Sequence, residues 1–168
     1  MERSAVRVLV HLLVLVACAL AGATLAQESA WRHAFWTDPA TGETLASVQA
    51  RSTGGAPGIG VIACGVDGRP VLAFAARAFQ EVAADDSIVA TAMDTGEPQA
   101  GWGVWSREAA GAVLRWAGDD EALASFLGEL ATARTLTVSL QDASGADLAA
   151  VDLAVGDVDV ALAGLACF

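Results

Sequence analysis

Three cysteines, two histidines and twenty acidic residues are the side chains of this 168-residue chain best suited to chemistry. His11 and Cys18 fall in an apolar N-terminal run, which leaves His33 as the single histidine beyond it. His33 stands among Trp31, Phe35 and Trp36. A lone imidazole offers no basis for a multi-His metal site, and no His-based catalytic triad is expected around it. A packed or surface histidine is the simpler reading. No G-x-S-x-G occurs, so the usual nucleophile elbow of a hydrolase is missing. Gly58-Ile59-Gly60-Val61-Ile62-Ala63 matches a dinucleotide fingerprint in its spacing. It opens a strand instead of joining a strand to a helix, so the phosphate-binding context is wrong.

The carboxylates cluster where a chain needs them structurally. Asp85 and Asp86 precede a strand, Asp119, Asp120 and Glu121 stand at a helix start, and Asp157 and Asp159 at another. None follows the calcium-loop pattern, and nothing marks two of them as a glycosidase pair. No catalytic, metal or cofactor residue is therefore expected.

The elements that position these residues begin with an export signal. Arg3 and Arg7 precede an almost wholly apolar stretch over 8–20, followed by Ala21, Gly22, Ala23, Thr24, Leu25 and Ala26. A basic start, a short apolar run and small residues at the exit describe a secretory signal peptide over 1–26, cleaved after Ala26. Leu15-Val16-Ala17-Cys18 also resembles a lipobox, and the alternative processing would leave Cys18 lipidated. No later stretch has the run of about 18 apolar residues that spans a bilayer. Residues 27–168 then form one domain, of a size that folds unaided. Cleavage after Ala26 leaves Cys64 and Cys167, an even pair in an exported chain, and a disulfide between them is expected.

Net charge is −11 for the chain and −12 for residues 27–168, where seven Arg face nineteen Asp and Glu. Nucleic acid and anionic membrane surfaces need basic patches, so neither is an expected partner. The chain contains no Lys, Asn or Tyr, which points to codon composition before chemistry.

Periodicity supplies the fold. Residues 44–51 alternate, with Ala46, Val48 and Ala50 against Ser47, Gln49 and Arg51, and the Gly- and Pro-containing run 52–58 reads as a loop. Strands over 59–65 and 71–77 join through Val66-Asp67-Gly68-Arg69, and strands over 87–94 and 101–107 form a second hairpin around Thr95-Gly96-Glu97-Pro98. A short strand over 112–116 precedes a helix opened by Asp119, with Leu123, Phe126, Leu127 and Leu130 on one face. Strands over 135–140 and 147–155 pair across Asp142-Ala143-Ser144-Gly145. A last helix starts at Asp157, carries Val158, Ala161, Leu162 and Leu165, and ends at Cys167. The expected class is α+β: a mainly antiparallel sheet of about seven strands, two late helices and one disulfide.

Five tryptophans complete the inventory. Trp102 and Trp105 are three apart on an expected strand and point to opposite faces. An exposed one near Trp31 or Trp36 would offer a stacking platform for a sugar or an anchor for a protein.

The run Ile88-Val89-Ala90-Thr91-Ala92-Met93-Asp94-Thr95-Gly96 precedes Trp105-Ser106, then Phe126-Leu127-Gly128-Glu129-Leu130, Thr135-Leu136-Thr137-Val138 and Ala161-Leu162-Ala163-Gly164-Leu165-Ala166-Cys167. This order, over about residues 59–168, resembles the C-terminal domain of the VasI/TagO family of exported proteins associated with bacterial type VI secretion. In that domain a strand ends in Asp-x-Gly, a Trp precedes Ser, and a last helix closes on Cys; its early strand carries a cysteine, which Cys64 would match. The family's usual additional N-terminal Cys-containing segment has no counterpart over 27–58. The resemblance carries no catalytic signature. It implies an exported, periplasmic or secreted accessory or protein-binding domain of the cell envelope, without cofactor. A carbohydrate-binding module or minor envelope hydrolase using Trp and Asp/Glu is the alternative.

Overall fold

The computed structural model describes residues 30–39, 41–83, 87–94, 99–100 and 105–168. The signal segment over 1–26 with Cys18, the pair Asp85 and Asp86, and Trp102 lie outside the described residues. The described chain is an α+β fold dominated by antiparallel sheet.

Ten strands build the sheet: β1 (Trp31–Thr37), β2 (Thr44–Gly55), β3 (Gly58–Cys64), β4 (Pro70–Ala76), β5 (Ile88–Met93), β6 (Gln99–Ala100), β7 (Trp105–Glu108), β8 (Val113–Trp116), β9 (Thr135–Gln141) and β10 (Asp147–Ala154). Their order is β6-β5-β9-β10-β2-β3-β4-β8-β7, with β1 paired to β2, and all pairings are antiparallel. Among the described residues three helices accompany them: α1 (Arg77–Gln80), α2 (Asp120–Leu130) and α3 (Val158–Leu162).

The extra strands have identifiable causes. The aromatic segment at Trp31 is β1, because Trp31 and Trp36 each find a buried place beside β2. Residues 52–55, expected as loop, continue β2: Ser52 pairs with Leu153, Gly54 with Asp152 and Gly55 with Val151. β2 thereby leaves β1 and pairs with β10, which joins β10, β9, β5 and β6 to the rest of the sheet. Small residues permit this close approach. A Cβ on Gly58 would meet Val151 Cγ1 at 2.7 Å, and one on Gly60 would meet Leu153 Cδ1 at 3.1 Å.

The expected second hairpin is corrected. β5 pairs with Gln99–Ala100 at only two positions, Ala90 with Ala100 and Thr91 with Gln99, and takes β9 as its main partner from Ile88 to Met93. Residues 105–108 instead form β7 and pair with β8 at the opposite end of the sheet, Trp105 facing Trp116. Trp105 packs there against Phe74, Trp116 and Phe126, with ring centroids 5.2–6.2 Å apart. Burial of a large ring outweighs a local turn signal.

The other hairpins and helices match their patterns. Gly68 adopts φ +78° in the β3–β4 turn, where the Arg69 amide donates to Asp67 Oδ1 at 3.0 Å. In the β9–β10 turn Asp142 Oδ1 accepts from the Ser144 amide and hydroxyl and the Ala146 amide. These bonds, that of the Ser144 hydroxyl foremost, hold its carboxyl below the ordinary value. Asp119 caps α2 by accepting from the Ala122 amide at 2.8 Å, and Leu123, Phe126, Leu127 and Leu130 are buried. α3 buries Val158, Ala161 and Leu162, then gives way to turns that bury Leu165 before Cys167. Five helical residues are too few to be stable alone. α3 is held by packing, by the Trp31 indole donating to the Val155 carbonyl at 2.9 Å, and by the Cys64–Cys167 disulfide.

Candidate functional site

Strand register assigns the side chains on the sheet's outer face, opposite the helices. Gln49, Val61, Ala73, Arg115 and Ser106 form one row across β2, β3, β4, β8 and β7. Arg51, Ile59, Ala75, Val113 and Glu108 form the next. Residues directly opposite in a ladder point to the same side, so both rows share one face.

Half of this face is closed. Val61, Ala63, Ala73 and Val113 are buried there beneath Trp36 and Leu45. The Arg115 guanidinium lies over the Trp36 ring at 5.4 Å. Its Nε donates to both oxygens of Glu108 at 2.9 Å, and its Nη2 donates to Asp38 Oδ1. Three strands separate β1 from β8 in the sheet order, so the β1–β2 hairpin tip curls over the face to bring Asp38 to Arg115. Asp38 is only 4% exposed. A charge buried so far needs a paired and hydrogen-bonded partner, which Arg115 supplies.

The other half is open. A trough with a cavity volume of about 820 Å³ runs across β2, β3 and β4 to the end of β8. Its floor is small and apolar, made by Gly58, Ile59, Ala75, Ala76 and Ala112. Arg51 and Arg77 flank it, with Gln49, Ser52 and Gln80 adding hydrogen-bonding groups. Both arginines are exposed, and neither has an ion-pair partner among the described residues. No carboxylate is among the described residues that line the trough. Arg51 stands on β2, and Arg77 opens α1 directly after β4, which lies two strands from β2.

The turn that leads into the trough-lining Ala112 has an unusual conformation. Ala109, Ala110 and Gly111 all have positive φ, at 49°, 56° and 90°, just before Ala112. Arg107 ties this turn to α1 by donating from Nη2 to the Phe79 carbonyl at 2.6 Å and the Val82 carbonyl at 2.9 Å.

The residues singled out from sequence take other roles. Cys64 and Cys167 form the disulfide, with S–S 2.07 Å and Cα–Cα 5.6 Å, on the rim of the inner face and away from the trough lining. His33 is exposed and lies against Gly164, where an added Cβ would come within 2.5 Å of its Cε1. Trp31, Trp36 and Trp116 are buried, and Trp105 is half-buried inside the aromatic cluster, so none of these four presents a free stacking face. Gly58 and Gly60 lie within β3, where their small size serves sheet packing. Asp94 Oδ1 accepts from the Arg134 and Thr135 amides, which lowers its pKa from the ordinary value and caps the start of β9. Among the described residues no three His, Cys, Asp or Glu side chains gather as a metal site. No helix of the described residues is long and apolar enough to cross a membrane.

Sequence reasoning missed Arg51, Arg77 and the Asp38–Arg115–Glu108 cluster. The one available signal was Arg51 at the polar end of an alternating strand. Nothing in chain spacing joins it to Arg77, which the pairing of β2, β3 and β4 and the start of α1 bring to the same trough.

Comparisons with protein-family models, with curated proteins and with solved structures return no match.

Proposed function

We propose that residues 27–168 form an exported, disulfide-bridged binding domain of the bacterial cell envelope, without catalytic activity, which engages its partner through the outer-face trough. One observation carries this reading: in a strongly acidic chain, two arginines beside an apolar trough have no ion-pair partner among the described residues. None of the carboxylates of the described residues is used to pair Arg51 or Arg77, which leaves both available to a ligand. The export signal and the Cys64–Cys167 bridge support an oxidising compartment, periplasmic or extracellular. The resemblance to the VasI/TagO C-terminal domain supports an accessory role beside a secretion machinery. Lipidation at Cys18 would tether the same domain to a membrane.

Site-specific photo-crosslinking in the producing cell tests it. A crosslinker at Ala75, on the trough floor, is expected to trap one defined envelope partner. The same group at exposed Leu148, in β10, is expected to trap none. Equal adducts at both positions, or no adduct at Ala75, would remove the trough from the function.

A further inference from the structure

We infer that the trough's ligand is an extended acidic peptide segment, its carboxylates gripped by Arg51 and Arg77 and its apolar side chains laid on Ile59, Ala75 and Ala112. This deepens the binding-domain reading above and rests on it. Guanidinium forks match carboxylates bidentately, and charge complementarity is the strongest feature of the site. The shape then restricts the anion. An open trough cannot enclose most of a small molecule's surface, as a tight metabolite site must. An extended chain gathers its affinity along its length instead, and its side chains alternate, so apolar and acidic groups can both be placed.

Charge outside the trough restricts it further. Glu81 follows Gln80, and Asp152 lies in register with Gly54 beyond Arg51; both are exposed. A lipid surface or a polyanion would meet these carboxylates together with the net charge of the whole domain. A short acidic segment carries few charges and can set them against the two guanidinium groups, so it meets less of that repulsion.

The test uses the oxidised protein and pairs of acetylated decapeptides, drawn from a mixed acidic pool, that differ only in Glu against Gln at two central positions. Binding is read at millimolar peptide from amide shifts of Gly58, Ala75 and Ala112. Glu peptides are expected to shift these amides and Gln peptides to leave them still. Arg51→Gln and Arg77→Gln are each expected to weaken binding about tenfold, the scale of one charge-assisted contact. Gln80→Glu, which sets a carboxylate three residues from Arg77, is expected to weaken it without changing the thermal midpoint. Three results would overturn the inference: no acidic peptide shifts the groove, Glu and Gln peptides bind alike, or phosphatidylglycerol vesicles bind through Arg51 and Arg77 while peptides do not. A position-specific partner at Ala75 combined with any of these would leave the binding domain standing and remove the acidic-peptide ligand alone.

Discussion

The closed and open halves of the outer face are made by the same strands, yet they handle charge in opposite ways. In the closed half Arg115 is stacked on Trp36 and neutralised by Asp38 and Glu108. In the open half Arg51 and Arg77 flank a similar apolar floor with no partner among the described residues. The difference teaches that burial decides pairing. Once Trp36 and the hairpin tip remove Arg115 from water, an uncompensated guanidinium would be costly, so two carboxylates are recruited. Arg51 and Arg77 remain solvated, cost little in isolation, and gain most from a ligand that brings both charge and desolvation.

This contrast can be broken from several directions. The largest expected effect removes the brace behind both halves. Replacing Cys64 and Cys167 together by Ala should lower unfolding free energy by about 4.7 kcal/mol on chain-entropy grounds, read by urea denaturation. Trp36→Ala strips the cover from the closed half and should cost about 4 kcal/mol in the same assay, as a buried indole does. Arg115→Met keeps packing but removes the guanidinium that Asp38 and Glu108 share; a loss of about 3 kcal/mol is expected, partly recovered when Asp38→Asn and Glu108→Gln are added. A loss that the added changes do not recover would mean that Arg115 acts through packing alone. Arg51→Gln combined with Arg77→Gln should change stability by less than about 0.5 kcal/mol while abolishing peptide-induced shifts, which sharpens the division between the halves. Unfolding of that double variant would place the open half's arginines in the fold instead.

Much of the fold was legible along the chain. The stripe of Leu123, Phe126, Leu127 and Leu130 behind Asp119 specifies α2, because capping and helical period are both local. Asp67-Gly68 and Asp142 with Gly145 specify their turns through positive φ and side-chain bonds to nearby amides. Failures came where a distant partner won. The expected hairpin around Thr95–Pro98, itself outside the described residues, gave way to Trp105 packing on Trp116 and Phe126 and to β5 pairing with β9. The Gly- and Pro-bearing run after Arg51 looked like loop, yet its backbone pairs with β10. The candidate site was less legible than the fold. Arg51 belongs to β2 and Arg77 to the start of α1, and the pairing of β2, β3 and β4, with no motif, brings them to one trough.

The amino-acid sequence determined the acidic balance, the sites of the turns, the amphipathic stripe of α2, and the pair of cysteines available for one bridge. These depend on residue type and on neighbours within a few positions. The tertiary structure decided which strand lies beside which, and therefore which outer-face side chains meet. Sheet register joins residues far apart in the chain, so only the folded sheet could bury Arg115 with two carboxylates and leave Arg51 and Arg77 facing an open trough.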